Sequence, residues 1–197
     1  MDKDDLKKDP FEQFQFWYEE ALNSTELQPE AMTLATANKE GKPSARQVLY
    51  KGIDRGGFLI FTNYESRKAK ELNENPQGAL VFHWPSVKRQ IRVEGRVEKI
   101  SFSESNRYFQ TRERESRLGA WASSQSQILS SREEMDDKYQ ELEKKFNGKE
   151  IPCPPFWGGY RLIPDSFEFW SENQFRLHDR ILYRRKENNW LIFRLAP

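Results

Sequence analysis

The sequence predicts a mainly β protein, a closed antiparallel and Greek-key-like β-barrel with helices on its outside. Short apolar runs recur along the chain, and most are separated by turns that contain glycine or proline. Turns this short favour antiparallel pairing of neighbouring strands. The helical patterns flank these runs and lack the regular strand–helix–strand alternation of a doubly wound sheet. With 197 residues, the chain is long enough for one domain with a substantial core.

Helical patterns occur at four places along the chain, the first of them near its start. Residues 9–22 have Asp9 as a candidate N-cap and Pro10 at the first helical position, followed by apolar side chains at helical spacing. The other predicted helices are 66–76, with Ser66 as N-cap, 101–121 and 131–146. Residues 1–8 are highly charged and are expected to form a short flexible N-terminus before a single domain at 9–197.

The strands are predicted from apolar runs that are rich in β-branched and aromatic residues. They are 31–38, 44–53, 57–64, 78–84, 88–100, 157–164, 166–170, 176–185 and 189–197. Fourteen phenylalanines and six tryptophans indicate an aromatic core or an aromatic binding site.

The charge balance limits the class of partner. The chain has 32 basic and 31 acidic residues and a net charge of +1, whereas a general nucleic-acid binder usually carries a clear basic excess. We therefore expect no nucleic-acid partner, although a local basic pocket is compatible with this balance. There is no apolar run long enough to cross a bilayer and no apolar signal region. A soluble, cytoplasmic protein without a membrane partner is expected.

Common catalytic motifs are absent from the sequence. One cysteine, Cys153, excludes an intrachain disulfide, and two histidines with one cysteine cannot build a zinc site. No Ser–His–Asp motif, Walker loop or GxGxxG motif is present. An enzyme with this sequence would therefore depend on a cofactor, and no metal is expected. His83 fits a strand histidine and is given no role.

Arg67 and Lys68 lie in the first turn of a predicted helix, where cations are locally unfavourable because the helix dipole is positive there. Cations at these positions would be stabilised by an anion, such as a phosphate, that binds the free backbone N–H groups of the first turn. Two solvated surface cations are the alternative, and this stretch alone favours them modestly.

Tyr108, Arg112 and Ser116 are spaced four residues apart and would share one side of the predicted helix 101–121. Two hydroxyls and a guanidinium can grip a phosphate. A charged, exposed helix face is the alternative, and it is favoured by spacing alone.

Two further groups of cations lie in predicted strands. Arg46 and Lys51 should point to opposite faces unless a bulge intervenes, so they either serve different partners or mark an irregular strand. Arg176, His178 and Arg180 occupy alternate positions and would form one cationic row on a strand. Such a row suits an anionic ligand or a solvated edge strand.

Several ordered blocks resemble the pyridoxamine 5′-phosphate oxidase family, FMN enzymes of vitamin B6 metabolism. They are RQVLYK, FTNYESRKA, RQIRVEG, YFQTRERES, GAWASSQS, PFWGGYR, FEFW with RLHDR, and FRLAP, and they span 9–197. The resemblance implies an FMN-binding split barrel and a homodimer, with a C-terminal dimerisation region and two active sites at the interface.

The resemblance also implies the roles of individual residues. The implied FMN contacts are Arg46, Gln47, Val48, Leu49, Tyr50, Lys51, Phe61, Thr62, Arg67, Lys68, Gln90, Gln125, Ser126, Trp170 and Arg180. The implied contacts to the substrate phosphate are Lys51, Tyr108, Arg112 and Ser116. Arg176, Leu177 and His178 would face the substrate ring, with Arg176 and His178 as catalytic residues.

The implied reaction oxidises pyridoxamine or pyridoxine 5′-phosphate to pyridoxal 5′-phosphate. A hydride passes to the flavin, dioxygen is reduced to hydrogen peroxide, and the amine substrate also yields ammonia. Phe61 departs from a commoner Tyr of the family, and Ser171 from Gln, His or Gly. The N-terminus lacks the Arg-x-x-Tyr pattern of family members whose extension closes over the substrate.

Three other functions fit parts of the sequence. They are a split-barrel flavoenzyme with a different substrate, a non-catalytic carrier of FMN or pyridoxal 5′-phosphate, and a nucleic-acid-binding barrel. The substrate-side residues argue against the first, and the Arg176–His178 pair argues against the second. A yellow colour of the purified protein would argue against the third.

Overall fold

The computed structural model describes residues 6–197 and contains a nine-stranded antiparallel sheet over that range. The strands are β1 Ala31–Ala37, β2 Pro43–Leu49, β3 Ile53–Asp54, β4 Gly57–Asn63, β5 Gln77–Trp84, β6 Arg89–Lys99, β7 Trp157–Ser171, β8 Asp179–Lys186 and β9 Asn189–Leu195. The helices are α1 Pro10–Leu22, α2 Arg67–Glu74, α3 Phe102–Gln110, α4 Arg114–Ala122 and α5 Glu133–Lys145. The mainly β class with flanking helices is confirmed.

The sheet closes into a barrel because β2 and β3 are two parts of one segment. The strand order is β2-β1-β5-β6-β7-β4-β3, and the chain passes from β2 to β3 through only three residues, 50–52. The backbone N–H of Lys51 donates to the carbonyl of Leu59 at 3.0 Å, and that of Leu59 donates to Gly52 at 2.9 Å. These bonds attach the connection between β2 and β3 to β4, so the segment that begins the strand order also borders its other end. Strands β8 and β9 extend the sheet from β7.

Helix α1 packs its aromatic face on the barrel core. Asp9 caps this helix as predicted, since its carboxylate accepts a hydrogen bond from the N–H of Phe11. Phe14 is fully buried and makes edge contacts with Phe58 and Phe82 at centroid distances of 4.9 and 5.0 Å. Burial of a large aromatic side chain contributes about 1.5–3 kcal/mol, so α1 is a structural part of the barrel.

A second, smaller core lies beneath helices α3, α4 and α5. It is built around Phe109, Leu118, Phe146 and Trp157. Trp157 is the first residue of β7, so this core connects the helices to the barrel. The helices therefore hold a fixed position beside the ends of β2 and β4.

Several element boundaries differ from the sequence prediction, and the predicted strand 44–53 is two strands, β2 and β3. The predicted helix 101–121 is two helices, α3 and α4, separated at 111–113. The predicted strands 157–164 and 166–170 are one strand, β7, whose pairing with β6 shifts register after Glu94. Strand β8 begins at Asp179 and not at 176, because Phe175 and Arg176 have φ values of 57° and 61°, which a strand does not allow.

The expected flexible N-terminus, residues 1–8, is only partly covered by the structure. Residues 1–5 lie outside the described range. Leu6 packs against the barrel core, and the hydroxyl of Tyr183 donates to the carbonyl of Lys7 at 2.8 Å. The described part of this segment is therefore in contact with the domain.

Candidate functional site

A cavity of 810 Å³ lies beside the barrel between β2, the end of β4 and helices α3 and α4. Its volume is within the range of small-molecule and cofactor sites. Twelve residues that the sequence analysis named line it. They are Arg46, Gln47, Val48, Leu49, Lys51, Phe61, Thr62, Lys68, Tyr108, Arg112, Ser116 and Gln125.

The cavity has an excess of positive charge in a nearly neutral protein. Four cationic side chains line it, against one carboxylate, that of Glu113. Arg46 and Lys51 share the cavity although strand alternation would separate them, because β2 ends at Leu49 and Lys51 lies beyond the strand. The pairing of β2 with β1 contains no bulge, and the strand simply ends between the two residues. Such a cavity suits a ligand with anionic groups.

Lys68 is a buried cation at one end of the cavity. Its ammonium donates to the Thr62 hydroxyl at 3.0 Å and to Oε1 of Gln125 at 3.2 Å. Burial, and then the charge of Arg46, lower the pKa of Lys68 to about 8. An anion bound next to such a lysine would stabilise its charged form. Ser66 is the N-cap of α2, as predicted, but its side chain makes no cap hydrogen bond.

Arg46 stands next to Lys68 and is held by the protein. Its Nη1 donates to the carbonyl of Leu34 at 3.1 Å and to the hydroxyl of Thr36 at 2.6 Å, while Nη2 donates to Ser44 and Glu71. Burial lowers the pKa of Arg46, and Glu71 opposes this effect. The guanidinium is therefore fixed in position as a permanent positive charge.

Arg112 lies at the break between α3 and α4, with Tyr108 before it and Ser116 after it. The guanidinium is 4.9 Å from the centroid of the Trp157 ring and 5.7 Å from that of Phe109. Its Nη1 is buried and has no hydrogen-bond partner within residues 6–197. A buried charged donor without a partner is costly, so this atom points to a bound ligand.

An aromatic wall borders the same part of the cavity. The rings of Phe61 and Tyr108 stack with a centroid distance of 3.9 Å and an interplanar angle of 20°. Trp157 continues this stack beyond Phe61 at 5.5 Å. The cavity thus offers flat apolar surface beside cationic groups.

A second group of predicted site residues lies away from this cavity. Gln90 pairs with Trp170, and Trp170 pairs with Arg180, across three adjacent strands. Nε of Arg180 donates to the carboxylate of Glu168 at 2.7 Å. The ring of His178 lies 4.7 Å from that of Trp170.

The expected cationic row of Arg176, His178 and Arg180 on one strand is wrong. Only Arg180 lies in β8, whereas Arg176 ends a single 3-10 turn and His178 follows it. The N–H of Asn173 donates to Nδ1 of His178 at 3.3 Å. Leu177, between them, has 64% of its surface exposed.

Three other predicted contacts do not line the large cavity. Tyr50 packs against the barrel core between Phe14 and Phe58, where burial raises its pKa to about 12. Arg67 and Ser126 line a separate cavity of 440 Å³ on the other side of α2.

Sequence reasoning missed two residues that shape the site. Trp157 supports Arg112, and its block was recognised without a role for it. Glu71 holds Arg46 and Arg67, and its position four residues after Arg67 on a short helix was an available signal.

Over residues 6–197, no cluster of three or more His, Cys, Asp or Glu side chains has the arrangement of a metal site. In the same range, no helix is both long and apolar enough to cross a membrane.

Sequence comparison finds relatives along the whole chain. A pyridoxine/pyridoxamine 5′-phosphate oxidase of Coxiella burnetii is 55% identical over 98% of this chain and 98% of its own. Another, from Rippkaea orientalis, is 52% identical over 100% of this chain and 93% of its own.

Structural comparison finds the same fold. PhzG from Burkholderia lata 383, solved in complex with tetrahydrophenazine-1-carboxylic acid, superposes with a TM-score of 0.91 at 32% identity, covering 98% of this chain and 95% of its own. A pyridoxamine 5′-phosphate oxidase-related, FMN binding protein from Nostoc punctiforme superposes with a TM-score of 0.75 at 17% identity, covering 93% and 97%. The predicted split-barrel fold is confirmed.

Family models match both parts of the chain. Residues 18–146 match the model described as pyridoxamine 5′-phosphate oxidase. Residues 157–197 match the C-terminal dimerisation region of pyridoxine 5′-phosphate oxidase. With the full-length relatives above, these matches show that the chain belongs to the pyridoxamine 5′-phosphate oxidase family.

Proposed function

We propose that this protein is an FMN-dependent oxidase that converts pyridoxamine and pyridoxine 5′-phosphate to pyridoxal 5′-phosphate with dioxygen. Hydrogen peroxide is the second product, and the amine also yields ammonia. The observation that carries the proposal is the buried, unpartnered Nη1 of Arg112 in a cavity with cationic walls. The reaction would serve vitamin B6 biosynthesis and salvage in the cytoplasm.

The residues present fit FMN as the cofactor. Lys68 is buried, its pKa is lowered to about 8, and Arg46 stands beside it, so both would be stabilised by a phosphate dianion. Gln47, Thr62 and Gln125 would supply polar contacts to the rest of the cofactor. When bound, the flavin accepts the hydride from the substrate carbon and passes the electrons to dioxygen.

The other end of the cavity fits the phosphate of the substrate. Arg112 would donate Nη1 to a phosphate oxygen, with Lys51, Tyr108 and Ser116 around it. A guanidinium is a permanent cation with a fixed set of donors, and it orients a phosphate ester as well as binding it. The Trp157 ring below Arg112 keeps the guanidinium in place.

A second copy of the chain would complete the site. Gln90, Trp170 and Arg180 form a compact group apart from the cavity, and Arg176 and His178 follow on from it. Phe175 and Leu177, on either side of Arg176, are 88% and 64% exposed, as expected for side chains that a partner covers. The family's dimerisation region includes this segment. We therefore propose a homodimer with residues from both chains at each FMN.

In this arrangement Arg176 would orient the substrate ring and polarise the reacting carbon. The backbone N–H of Asn173 donates to Nδ1 of His178, so a neutral His178 carries its proton on Nε2. His178 would then donate a hydrogen bond from Nε2 to the substrate. Both residues act by position and charge, while the redox step belongs to the cofactor.

A second candidate function is the oxidation of tetrahydrophenazine-1-carboxylic acid. It is favoured by the structural similarity to PhzG, whose ligand is tetrahydrophenazine-1-carboxylic acid. That ligand has a carboxylate and no phosphate. The group around Arg112, with Lys51, Tyr108 and Ser116, is better matched to a phosphate, so we rank this candidate second.

The test uses the FMN-loaded protein in air with pyridoxamine 5′-phosphate, pyridoxine 5′-phosphate and tetrahydrophenazine-1-carboxylic acid in parallel. We expect pyridoxal 5′-phosphate and hydrogen peroxide to appear in equal amounts with the first two substrates. Turnover of tetrahydrophenazine-1-carboxylic acid alone would move the function to the second candidate. If the protein binds FMN and is yellow but turns over none of the three compounds, it is a non-catalytic carrier of FMN.

Arg112→Ala tests the phosphate contact. We expect kcat/KM for pyridoxamine 5′-phosphate to fall by roughly 10–100-fold, because a hydrogen bond to a charged group contributes about 1.5–3 kcal/mol. The matched control is Arg107→Ala, which removes the same charge from an exposed position on α3. An equal fall of kcat/KM in the two variants would show that Arg112 acts only through the overall positive potential of the protein and does not contact the phosphate.

A further inference from the structure

Glu71 is a buried carboxylate on α2 that lines the smaller cavity and contacts Arg46, which lines the large one. It lies on the buried face of this helix, with 6% of its surface exposed. Oε2 accepts hydrogen bonds from the hydroxyls of Thr36 at 2.5 Å and Ser44 at 2.6 Å, and Nη2 of Arg46 is 3.4 Å away. Oε1 accepts a hydrogen bond from Nε of Arg67 at 2.8 Å. One carboxylate therefore connects two strands and two arginines.

The two hydroxyls connect the carboxylate to Arg46. Thr36 and Ser44 are directly opposite each other on β1 and β2, two residues from the pair of Leu34 and Arg46. Each hydroxyl accepts a hydrogen bond from the Arg46 guanidinium and donates one to Glu71. The guanidinium is thus held through two hydroxyls as well as by direct charge attraction.

Glu71 remains ionised although it is buried. Burial disfavours the charged form, but hydrogen bonds from Ser44, Thr36 and Arg67 outweigh it and lower the pKa to about 2. A negative charge at this position repels a nearby phosphate. Its presence beside a phosphate-binding cluster is explained if it places the cations that bind the phosphate.

We propose that Glu71 is a positioning residue that orients the guanidinium groups of Arg46 and Arg67 for the phosphate of FMN. It acts on the cofactor through these two arginines. This inference rests on the proposed function, because it requires FMN as the ligand. It gives Arg67 a place in the site although Arg67 does not line the large cavity.

The test compares FMN with riboflavin, which has the same ring system and no phosphate. The apoprotein is titrated with each, and flavin fluorescence gives the two dissociation constants. For Glu71→Gln we expect FMN affinity to fall at least about tenfold, by analogy with residues that orient the ligands of a metal, with riboflavin affinity unchanged. A purely structural role would weaken both ligands equally, and simple charge repulsion would make FMN bind more tightly. Either result overturns the proposal.

Glu74→Gln is the matched control, since it removes the same charge one turn later on α2 from an exposed residue that lines the same smaller cavity. It should leave both affinities unchanged. Ser44→Ala removes one of the two connecting hydroxyls and should give a smaller loss for FMN only. It provides the same test if Glu71→Gln does not fold. A wild-type protein that binds FMN no better than riboflavin would overturn the proposed function as well. If Glu71→Gln and Ser44→Ala both prefer FMN over riboflavin as strongly as the wild type does, this inference alone is overturned.

Discussion

At the residue scale, Lys68 couples cofactor binding to pH. Its folded pKa of about 8 lies below the ordinary value for lysine because burial, and then Arg46, disfavour the charged form. Above this pKa the folded protein releases the proton, while the unfolded chain keeps it up to about pH 10.4. The contribution of Lys68 to the free energy of unfolding of the protein therefore becomes more favourable as the pH rises between these two values.

Binding of the FMN phosphate should have the opposite dependence on pH. The phosphate favours charged Lys68, so FMN binding should take up a proton between pH 8 and 9. We expect the dissociation constant for FMN to rise by roughly tenfold from pH 7.5 to 9.5, because a hydrogen bond to a charged group is lost. Lys68→Arg keeps its charge in this range and should show a flatter profile. If the dissociation constant for FMN depends on pH in the same way in the wild type and in Lys68→Arg, Lys68 does not contact the phosphate.

At the scale of elements, β6 and β7 approach closely at Gly95. A Cβ atom there would lie 2.8 Å from Cα of Pro164 and still closer to the carbonyl oxygen of Ile163. Both are backbone atoms next to the register shift and cannot move aside easily. Gly95→Ala should lower the free energy of unfolding by about 1–3 kcal/mol, measured by urea denaturation.

Gly119 on α4 provides the comparison for this substitution. A Cβ atom at Gly119 would meet no atom within 4 Å other than those of its chain neighbours and of its own helix backbone. Because alanine is the better helix former, Gly119→Ala should raise stability by about 0.5–1 kcal/mol. Equal effects of the two substitutions would mean that the contact at Gly95 is relieved by backbone movement.

The same elements show what the sequence could and could not predict. Hydrophobic period and turn residues located most of the helices and strands, because these signals are local, but they did not separate β3 from β2. The break at Thr111 between α3 and α4 was missed because no Gly or Pro marks it. The start of β8 was misplaced because Phe175 and Arg176 adopt positive φ values that their residue types do not indicate.

The cavity residues followed from the family resemblance more than from local patterns. Spacing alone favoured an exposed face for Tyr108, Arg112 and Ser116, and the cavity between α3 and α4 depends on how distant elements pack. The role of Glu71 could not be read from the sequence, because its partners Thr36 and Ser44 are 35 and 27 residues away.

At the scale of the whole molecule, the proposed sites would be shared between two chains. Arg112→Ala and Arg176→Ala alter the two parts of the proposed site, so at limiting substrate each variant homodimer should turn over pyridoxamine 5′-phosphate at least about tenfold more slowly than the wild type. Mixed dimers would have one site with both defects and one with neither. A refolded equal mixture should therefore recover about a quarter of the wild-type turnover, since half of the dimers are mixed.

Recovery of turnover would require that each site draws on both chains. A mixture that remains as inactive as its components, although mixed dimers are present by mass spectrometry, would place each site within one chain. Arg176→Ala alone should lower turnover while FMN stays bound, as measured by flavin absorbance after gel filtration.

The closure of the barrel by β7 also has a consequence for synthesis of the chain. Phe58 of β4 pairs with Leu162 of β7, and Ile91 of β6 pairs with Phe169. At about 5–20 residues per second, a ribosome adds the stretch between β4 and the end of β7 in roughly 5–20 s. During this time one edge of β4 and one edge of β6 have no strand to pair with, and open strand edges promote aggregation. The nascent chain therefore needs protection until its last fifth has been made, and premature termination near residue 150 should leave a polypeptide that cannot form the barrel.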